Sequence, residues 1–378
     1  MKKRIIIIPN SEVTKKGDTY NVLKSQKEFY KNFEDYDYNV SIAAIIRESE
    51  KEFFGWNLAE SHHVDCIRQN LFNSHNSTLK KPINYFFIFF IALFNVLRYK
   101  KFYVFLPGNI SAIYLIFLLL FKKEFGLYVR GDFTQYREYF LYKIALKKAK
   151  YVITTGNFVR EKAQEFSNVV EPVVPMMNTS KKDLYYQKST VITGIPSLLF
   201  IGRLSHEKGI NDLIDAAELL QKNEIKFHLN LVGGGEKEWF DSVKEKIIKK
   251  KLEHCVFILG AVSNKRKLND LLKSSDIFVF PSHHEGFPRV VYEAMTFGLP
   301  MVLTNINAYY NTFKNYDDCS MVNIQSPKEL ADEISKLISD ENIREKYSKS
   351  VLKKMSSYYR EFNENKNHTF QVVKNLSQ

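Results

Sequence analysis

Cysteine is scarce. Only Cys66, Cys255 and Cys319 occur in 378 residues. Their number is odd, they lie far apart, and none forms a C-x-x-C pair. That excludes a disulfide framework and fits free thiols in a reducing compartment. Long apolar runs are also missing. Tyr85 to Leu97 and Ile110 to Phe121 each fall well short of the roughly 20 residues a membrane-spanning helix needs. The opening Met1-Lys-Lys-Arg-Ile-Ile-Ile-Ile-Pro9 starts like a secretory leader, but Pro9 ends its apolar run too soon, and it reads as a buried first strand. The chain carries no G-x-x-x-x-G-K-[ST] loop, no G-x-S-x-G elbow, and no helix-turn-helix, RRM-like or Cys/His zinc pattern. A P-loop nucleotidase, a nucleophile-elbow hydrolase and the common nucleic-acid modules are therefore poor fits.

What is present is a hydrophobic content of 45% and a net charge of +13. The length suits two domains and the apolar content suits full cores. The charge is uneven: residues 80–150 hold 13 Lys/Arg against 3 Asp/Glu, a local +10. An anionic metabolite, a membrane surface or a nucleic acid would complement it, and a general Lys-rich composition would also produce it. Lys80, Lys81, Arg98, Lys100, Lys101, Lys122 and Lys123 flank the two apolar segments. Those segments read as a core helix and a half-buried helix, and the pattern also suits a helix lying in a membrane interface.

Short apolar runs alternate with helical patterns, which predicts parallel sheets with crossover helices. Strands are expected at Arg4–Ile8, Tyr38–Ile46, Phe102–Leu106, Phe125–Val129, Tyr151–Thr154 and Val169–Val173, with helices over Asn21–Phe33 and Tyr139–Ala149. Pro172, Pro175 and Pro196 punctuate a linker over Pro172–Ile195. The pattern restarts at Ser197–Ile201, Phe227–Val232, Cys255–Leu259, Asp276–Phe280, Pro300–Thr304 and Met321–Ile324, and a charged helical stretch, Pro327–Phe362, follows. Two similar α/β units in series result, each binding ligands beyond the carboxyl ends of its strands.

The richest segment is Ser282-His-His-Glu285-Gly286-Phe287-Pro288-Arg289-Val290-Val-Tyr-Glu293-Ala-Met295. Pro288 marks a helix start, which offers unpaired backbone donors to an anion, and two carboxylates flank it. Upstream, Gly202-Arg203-Leu-Ser-His-Glu-Lys208-Gly209 sets two cations on one strand-end loop, able to clamp a diphosphate. Val232-Gly233-Gly234-Gly235 permits close backbone approach to a phosphate or ribose. Asp35-Tyr36-Asp37 reads as a solvated turn, and His62-His63 and His283-His284 lack partners at metal-ligand spacing.

In order, Gly202…Gly209, Val232…Gly235, Phe257-Ile-Leu-Gly260, Phe280-Pro-Ser282, Glu285…Met295 and Gly298-Leu-Pro300 resemble glycosyltransferase family 4, retaining enzymes that use nucleotide-activated sugars. Glu285 and Glu293 match that family's E-x(7)-E motif. The resemblance covers about 110 residues of the second unit closely. It implies the GT-B fold: two Rossmann-like domains facing across a cleft, with an acceptor domain over 1–180, a donor domain over 181–345, and a helical segment, 346–378, packing back on the first domain.

The resemblance also implies roles. Arg203 and Lys208 would hold the donor diphosphate and stabilise the leaving group, Glu285 would contact sugar hydroxyls, and Glu293 would hold the ribose. Gly233, Gly234, Gly286 and the N–H groups near Phe287, Arg289 and Val290 would approach the phosphates, and backbone near Ala261–Asn264 the base. In the first unit the family's glycine loop is represented by Gly17. Where many members carry a histidine this chain reads Tyr-Val-Arg130-Gly-Asp132, so Arg130 or Asp132 would serve there. The expected donor is a UDP- or GDP-sugar, with no metal or other cofactor. The expected acceptor is a glycan or polyprenyl-diphosphate-linked glycan of bacterial surface polysaccharide. The location would be cytoplasmic, with peripheral contact at the inner face of the membrane. A nucleotide-sugar epimerase of the same fold is the alternative.

Overall fold

Four consecutive isoleucines, Ile5 to Ile8, are all fully buried, because a central parallel strand is covered on both faces. They belong to β1 of a computed structural model that describes residues 3–23, 26–48, 55–61, 63–69, 80–172, 179, 181–185, 189–262, 264–309, 311–361 and 368–377. The chain divides into two units, residues 1–176 with 364–378, and residues 177–363.

The first unit runs β1 (Lys3–Ile8), β2 (Val13–Lys16), β3 (Thr19–Leu23), α1 (Lys27–Lys31), β4 (Tyr38–Ala44), β5 (Ile46–Glu48), β6 (Gly55–Asn57), β7 (Val64–Arg68) and α2 (Lys80–Arg98). It continues through β8 (Phe102–Leu106), α3 (Asn109–Leu120), β9 (Phe125–Val129), α4 (Tyr139–Lys148), β10 (Tyr151–Thr154), α5 (Asn157–Gln164) and β11 (Val170–Pro172). The main sheet is parallel, in the order β11-β10-β9-β8-β1-β4-β7. Residues of α2 to α5 pack one core against it, including Ala92, Tyr114, Tyr142 and Val159. The other core takes Phe29 and Tyr30 of α1.

The second unit contains β12 (Ser197–Ile201), α6 (Ile210–Lys222), β13 (His228–Val232), α7 (Lys237–Lys249), β14 (Val256–Gly260), α8 (Lys265–Ser274), β15 (Ile277–Phe280), α9 (Arg289–Thr296), β16 (Met301–Thr304), β17 (Ser320–Val322), α10 (Pro327–Ser339) and α11 (Glu341–Glu361). Its parallel sheet has the order β14-β13-β12-β15-β16-β17. The chain therefore builds outward from β12 in one direction and then from β15 in the other. The crevice between those two strands is the switch point, where doubly wound sheets place ligands.

Several expectations change. Asn21–Phe33 is not one helix. Thr19–Leu23 pairs antiparallel with Val13–Lys16 across a turn in which Gly17 takes φ 55°, and among the described residues of the stretch only Lys27–Lys31 is α-helical. These strands join β5 and β6 in a small second sheet, which also interrupts the expected strand Tyr38–Ile46 after Ala44. The helical stretch expected over Pro327–Phe362 forms two helices broken at Asp340, with Phe362 itself outside the described residues. Buried Arg344 bridges that break: its Nη1 donates to the carbonyls of Leu337 and Ile338, at 2.7 and 2.9 Å, satisfying the end of α10.

The crossing segment is shorter than expected. All of α11 stays with the second unit, and the part grouped with the first begins at residue 364. There α12 (His368–Ser377) buries Val372 and Val373, and Thr369 Oγ1 donates to the Phe29 carbonyl at 2.8 Å. Of the expected linker, residues 173–178, 180 and 186–188 lie outside the described residues.

Candidate active site

The strand-end loops of the second unit enclose a cleft of about 420 Å³. Arg203, Lys208, Gly233, Gly234, Glu285, Phe287, Arg289, Val290 and Glu293 all line it, so the sequence-predicted residues of this unit converge on one cavity. Gly286 sits in the same loop without lining the cleft. Ile201, Gly202, Val232, Ala261, Val262, Leu268, Phe280 and Pro288 complete the wall.

Two glycines make this packing attainable. Gly233 has φ 152°, and a Cβ there would stand 1.7 Å from the Gly202 carbonyl oxygen. Gly209 has φ 65°, and its Cβ would stand 1.9 Å from the Pro281 carbonyl oxygen. The loop after β12 therefore lies directly against the loops after β13 and β15, as only glycine permits.

At the switch point Lys208 forms an ion pair with Glu285 Oε1. Both side chains are largely buried, and Lys208 Nζ also stands 5.8 Å from the centre of the Phe280 ring. Buried Ser282 holds the carboxylate from behind, its Oγ 2.9 Å from Glu285 Oε1. The two loops are tied a second time, by His283 N–H donating to the Glu207 carbonyl at 2.8 Å. His283 Nε2 also lies 2.6 Å from Asp212 Oδ2 in the first turn of α6. Burial, and next the charge of Glu285, push the phenol of Tyr309 well above its ordinary pKa, so it stays neutral beside the carboxylate. Ser282, Asp212, His283 and Tyr309 were not singled out for these roles by sequence reading. Their types are common, and only their contacts reveal them.

Glu293 is buried inside α9, with only 4% of its surface exposed. Phe287 stacks on Tyr292 with ring centres 4.4 Å apart, which fixes the loop entering that helix. The expected row of free donors is shorter than predicted, because Arg289 N–H donates to the Phe287 carbonyl at 3.0 Å. Val290, second in the helix, lies among the residues whose N–H has no intrahelical acceptor. Arg203 is exposed at the mouth and has no ion-pair partner among the described residues. Ser263, in the expected base-contact stretch, lies outside the described residues.

The first-unit candidates fare differently. Gly17 occupies the β2–β3 hairpin turn of the small sheet, not a loop directly after β1. The carboxylate of Asp132 is buried and caps its own turn, accepting from Thr134 N at 3.0 Å and Gln135 Nε2 at 2.9 Å, which leaves it little capacity for a sugar. Arg130 is exposed and donates to Asn10 Oδ1 at 3.1 Å, and Asn10 Nδ2 donates to the Pro107 carbonyl at 3.2 Å. Asn10 follows β1 and Pro107 follows β8, so this trio marks the first sheet's own switch point, between β1 and β8. Sequence reading missed Asn10, although its place directly after the isoleucine run and Pro9 was a usable signal. Asp35-Tyr36-Asp37 forms a turn with both aspartates exposed. His62 lies outside the described residues, and among those described no cluster of three His, Cys, Asp or Glu could hold a metal.

Doubly wound sheets place ligands at such a switch point, and the one here is lined by both cations and carboxylates. Comparison with known proteins narrows this. Residues 182–354, nearly all of the second unit, match the family model of the glycosyl transferases group 1. The chain is 29% identical over 182 residues to the N,N'-diacetylbacillosaminyl-diphospho-undecaprenol alpha-1,3-N-acetylgalactosaminyltransferase of Campylobacter jejuni, covering 48% of this chain and 46% of that one. It is 28% identical over 146 residues to the capsular polysaccharide biosynthesis glycosyltransferase CapM of Staphylococcus aureus, covering 39% and 37%. These matches span less than half the length of those relatives. Among solved structures, Anabaena HepE in complex with UDP-glucose superposes with a TM-score of 0.66 at 16% identity, over 99% of each chain. The fold is that of the GT-B glycosyltransferases.

Proposed function

We propose that this protein is a retaining glycosyltransferase that moves a sugar from a UDP- or GDP-sugar to a hydroxyl of a growing or polyprenyl-diphosphate-linked glycan, in surface-polysaccharide assembly at the cytoplasmic face of the membrane. The observation that carries the reading is the convergence of Arg203, Lys208, Glu285 and Glu293 on one cleft at the switch point. In it, Lys208 and Arg203 take the donor diphosphate, Glu285 the sugar hydroxyls and Glu293 the ribose. The glycosidic C–O bond breaks with its electron pair going to the nucleoside diphosphate, the acceptor oxygen bonds to the anomeric carbon, and the acceptor's proton passes to the departing diphosphate oxygen. Cations already in place stabilise the leaving charge without reorganisation.

The relatives support the substrate classes. HepE was solved with UDP-glucose, the C. jejuni relative is named for a diphospho-undecaprenol acceptor, and CapM for capsular polysaccharide. The reading also has the two cationic side chains do the work a metal does elsewhere, so transfer should persist in EDTA.

A thermal-shift panel of nucleotide sugars tests the donor. A bound ligand at about 100 times its Kd adds roughly 2.7 kcal/mol, a clear rise in melting temperature. No response to any UDP- or GDP-sugar would overturn the proposal. Incubation with donor alone separates the epimerase alternative, which would change the sugar without an acceptor.

A further inference from the structure

The outward face of α2 is apolar. Ile83, Phe86, Phe90, Phe94 and Leu97 recur at helical spacing, and each is 45% or more exposed. The opposite face, with Ile88, Ala92 and Val96, fills the core beneath. A surface helix of a water-soluble unit carries charge where these rings stand. The rings are also contiguous. Phe86 meets Phe90 at 4.9 Å between centres, Phe90 meets Phe89 at 5.6 Å, and Phe89 meets Phe117 of α3 at 4.7 Å. Leu120 at the end of α3 and Phe140 on α4 add two further projecting side chains, 67% and 71% exposed. Single exposed hydrophobics are ordinary, but a connected ridge marks an interaction surface.

The helix does not leave the fold. Asn95 Nδ2 donates to Tyr114 Oη at 2.7 Å, and Tyr114 Oη donates to Gln69 Oε1 at 3.0 Å, both buried. No helix among the described residues is long and apolar enough to cross a membrane.

The charge around this ridge is predominantly positive. The helices α2, α3 and α4 each return from one parallel strand to the next, so their C-terminal ends gather at one edge of the sheet. Exposed Arg98, Lys100, Lys122, Lys147 and Lys148 all lie there. Burial, then the nearby charges of Lys150 and Lys3, hold the ammonium of Lys101 below its ordinary pKa, so cations crowd this edge. Of the three acids in residues 80–150, Asp132 is buried in its own turn and Glu124 pairs with Lys150. A second copy of the chain would set one +10 segment against another. An anionic lipid surface matches both the ridge and the rim.

We propose that the outer face of α2, α3 and α4 is a lipid-docking surface: the aromatic ridge enters the headgroup boundary of an anionic bilayer while the basic rim at the helix ends holds its phosphates. The helix lies in the plane of the interface and does not span it. This surface stands independently of the transfer reaction, because its test uses no donor and reads no turnover.

The full chain is floated with phosphatidylcholine vesicles, with or without about 30% phosphatidylglycerol. It should rise with the anionic vesicles and be partly released by high salt, since screening acts on the rim and not on the ridge. The variant F86S/F90S/F94S should lose at least about tenfold in vesicle affinity with its melting transition retained, because those rings are exposed. K122E/K148E should lose about fivefold or more per site. If the wild-type chain stays at the bottom of the gradient with anionic vesicles, or both variants float as it does, the proposal falls. It falls equally if the chain is a dimer that F86S/F90S/F94S dissociates while neither form binds vesicles.

Discussion

Lys208 and Glu285, 77 positions apart in the chain, meet as an ion pair where β12 and β15 part. The ammonium is held on the carboxylate, and the carboxylate on Ser282. The ion pair fixes Lys208 in the cleft and leaves its ammonium with further N–H groups to offer a phosphate.

Lys208→Ala should lower kcat by about 10²- to 10³-fold, the usual effect of removing one pre-placed charge-stabilising group. Glu285→Gln should also lower it, and the double variant should cost less than the sum, because the two act as one unit. Steady-state kinetics with the donor identified by thermal shift checks this. A Lys208→Ala enzyme of near-wild-type rate would remove that residue from charge stabilisation.

Gly209→Ala should destabilise the second unit. The left-handed backbone alone costs about 1–3 kcal/mol, and the added methyl would press on the Pro281 carbonyl. Urea denaturation reads the loss. Ser205→Ala in the same loop serves as a control and should change little.

The three thiols should be inert in the native chain. Burial, then Asp65, pushes Cys66 up to about 12; burial, then Glu253, pushes Cys255 up to about 11; and burial raises Cys319 as well. Thiolate is the reactive form, so iodoacetamide near neutral pH should label none of the three until the chain is unfolded. The sign also bears on stability. A folded pKa above the unfolded value near 8.5 adds stability below that value and loses it as pH rises toward the folded one. The melting temperature should therefore fall above about pH 8.5, and the Cys255→Ala variant should show less of that fall.

Acid should act through a different group. Lys250 and Lys222 hold the Glu218 carboxyl below its ordinary pKa. Its stabilisation is present above the unfolded value near 4.3 and is lost as pH falls through the folded one. Glu218→Gln should cost about 0.5 kcal/mol at neutral pH, as for solvent-screened pairs. It should flatten the acid limb of a melting-temperature profile and lessen its salt dependence.

The sequence by itself determined the strands that are buried on both faces, since a run such as Ile5–Ile8 or Leu198–Phe200 has no other stable place. Phe102–Leu106, Phe125–Val129, Tyr151–Thr154 and Ser197–Ile201 agree with the structure to the residue. It also marked most of the polar residues that line the second unit's cleft, because glycines, cations and carboxylates at fixed offsets from strand ends gather where those ends lie. Strands such as Val13–Lys16 and Thr19–Leu23 carry no such apolar run; they pair with each other in a hairpin and with β5 and β6, which come later in the chain.

Tertiary structure alone decided which ionisable groups remain available. Asp132 and Arg130 stand two positions apart and look alike as candidates, yet one carboxylate is consumed in a turn and the guanidinium reaches Asn10. Only the packed structure shows that the apolar segment Tyr85–Leu97 fills a core with one face and leaves the other uncovered. A linear pattern states how hydrophobic a helix is. What covers each side of it is set by neighbours that the chain brings from elsewhere.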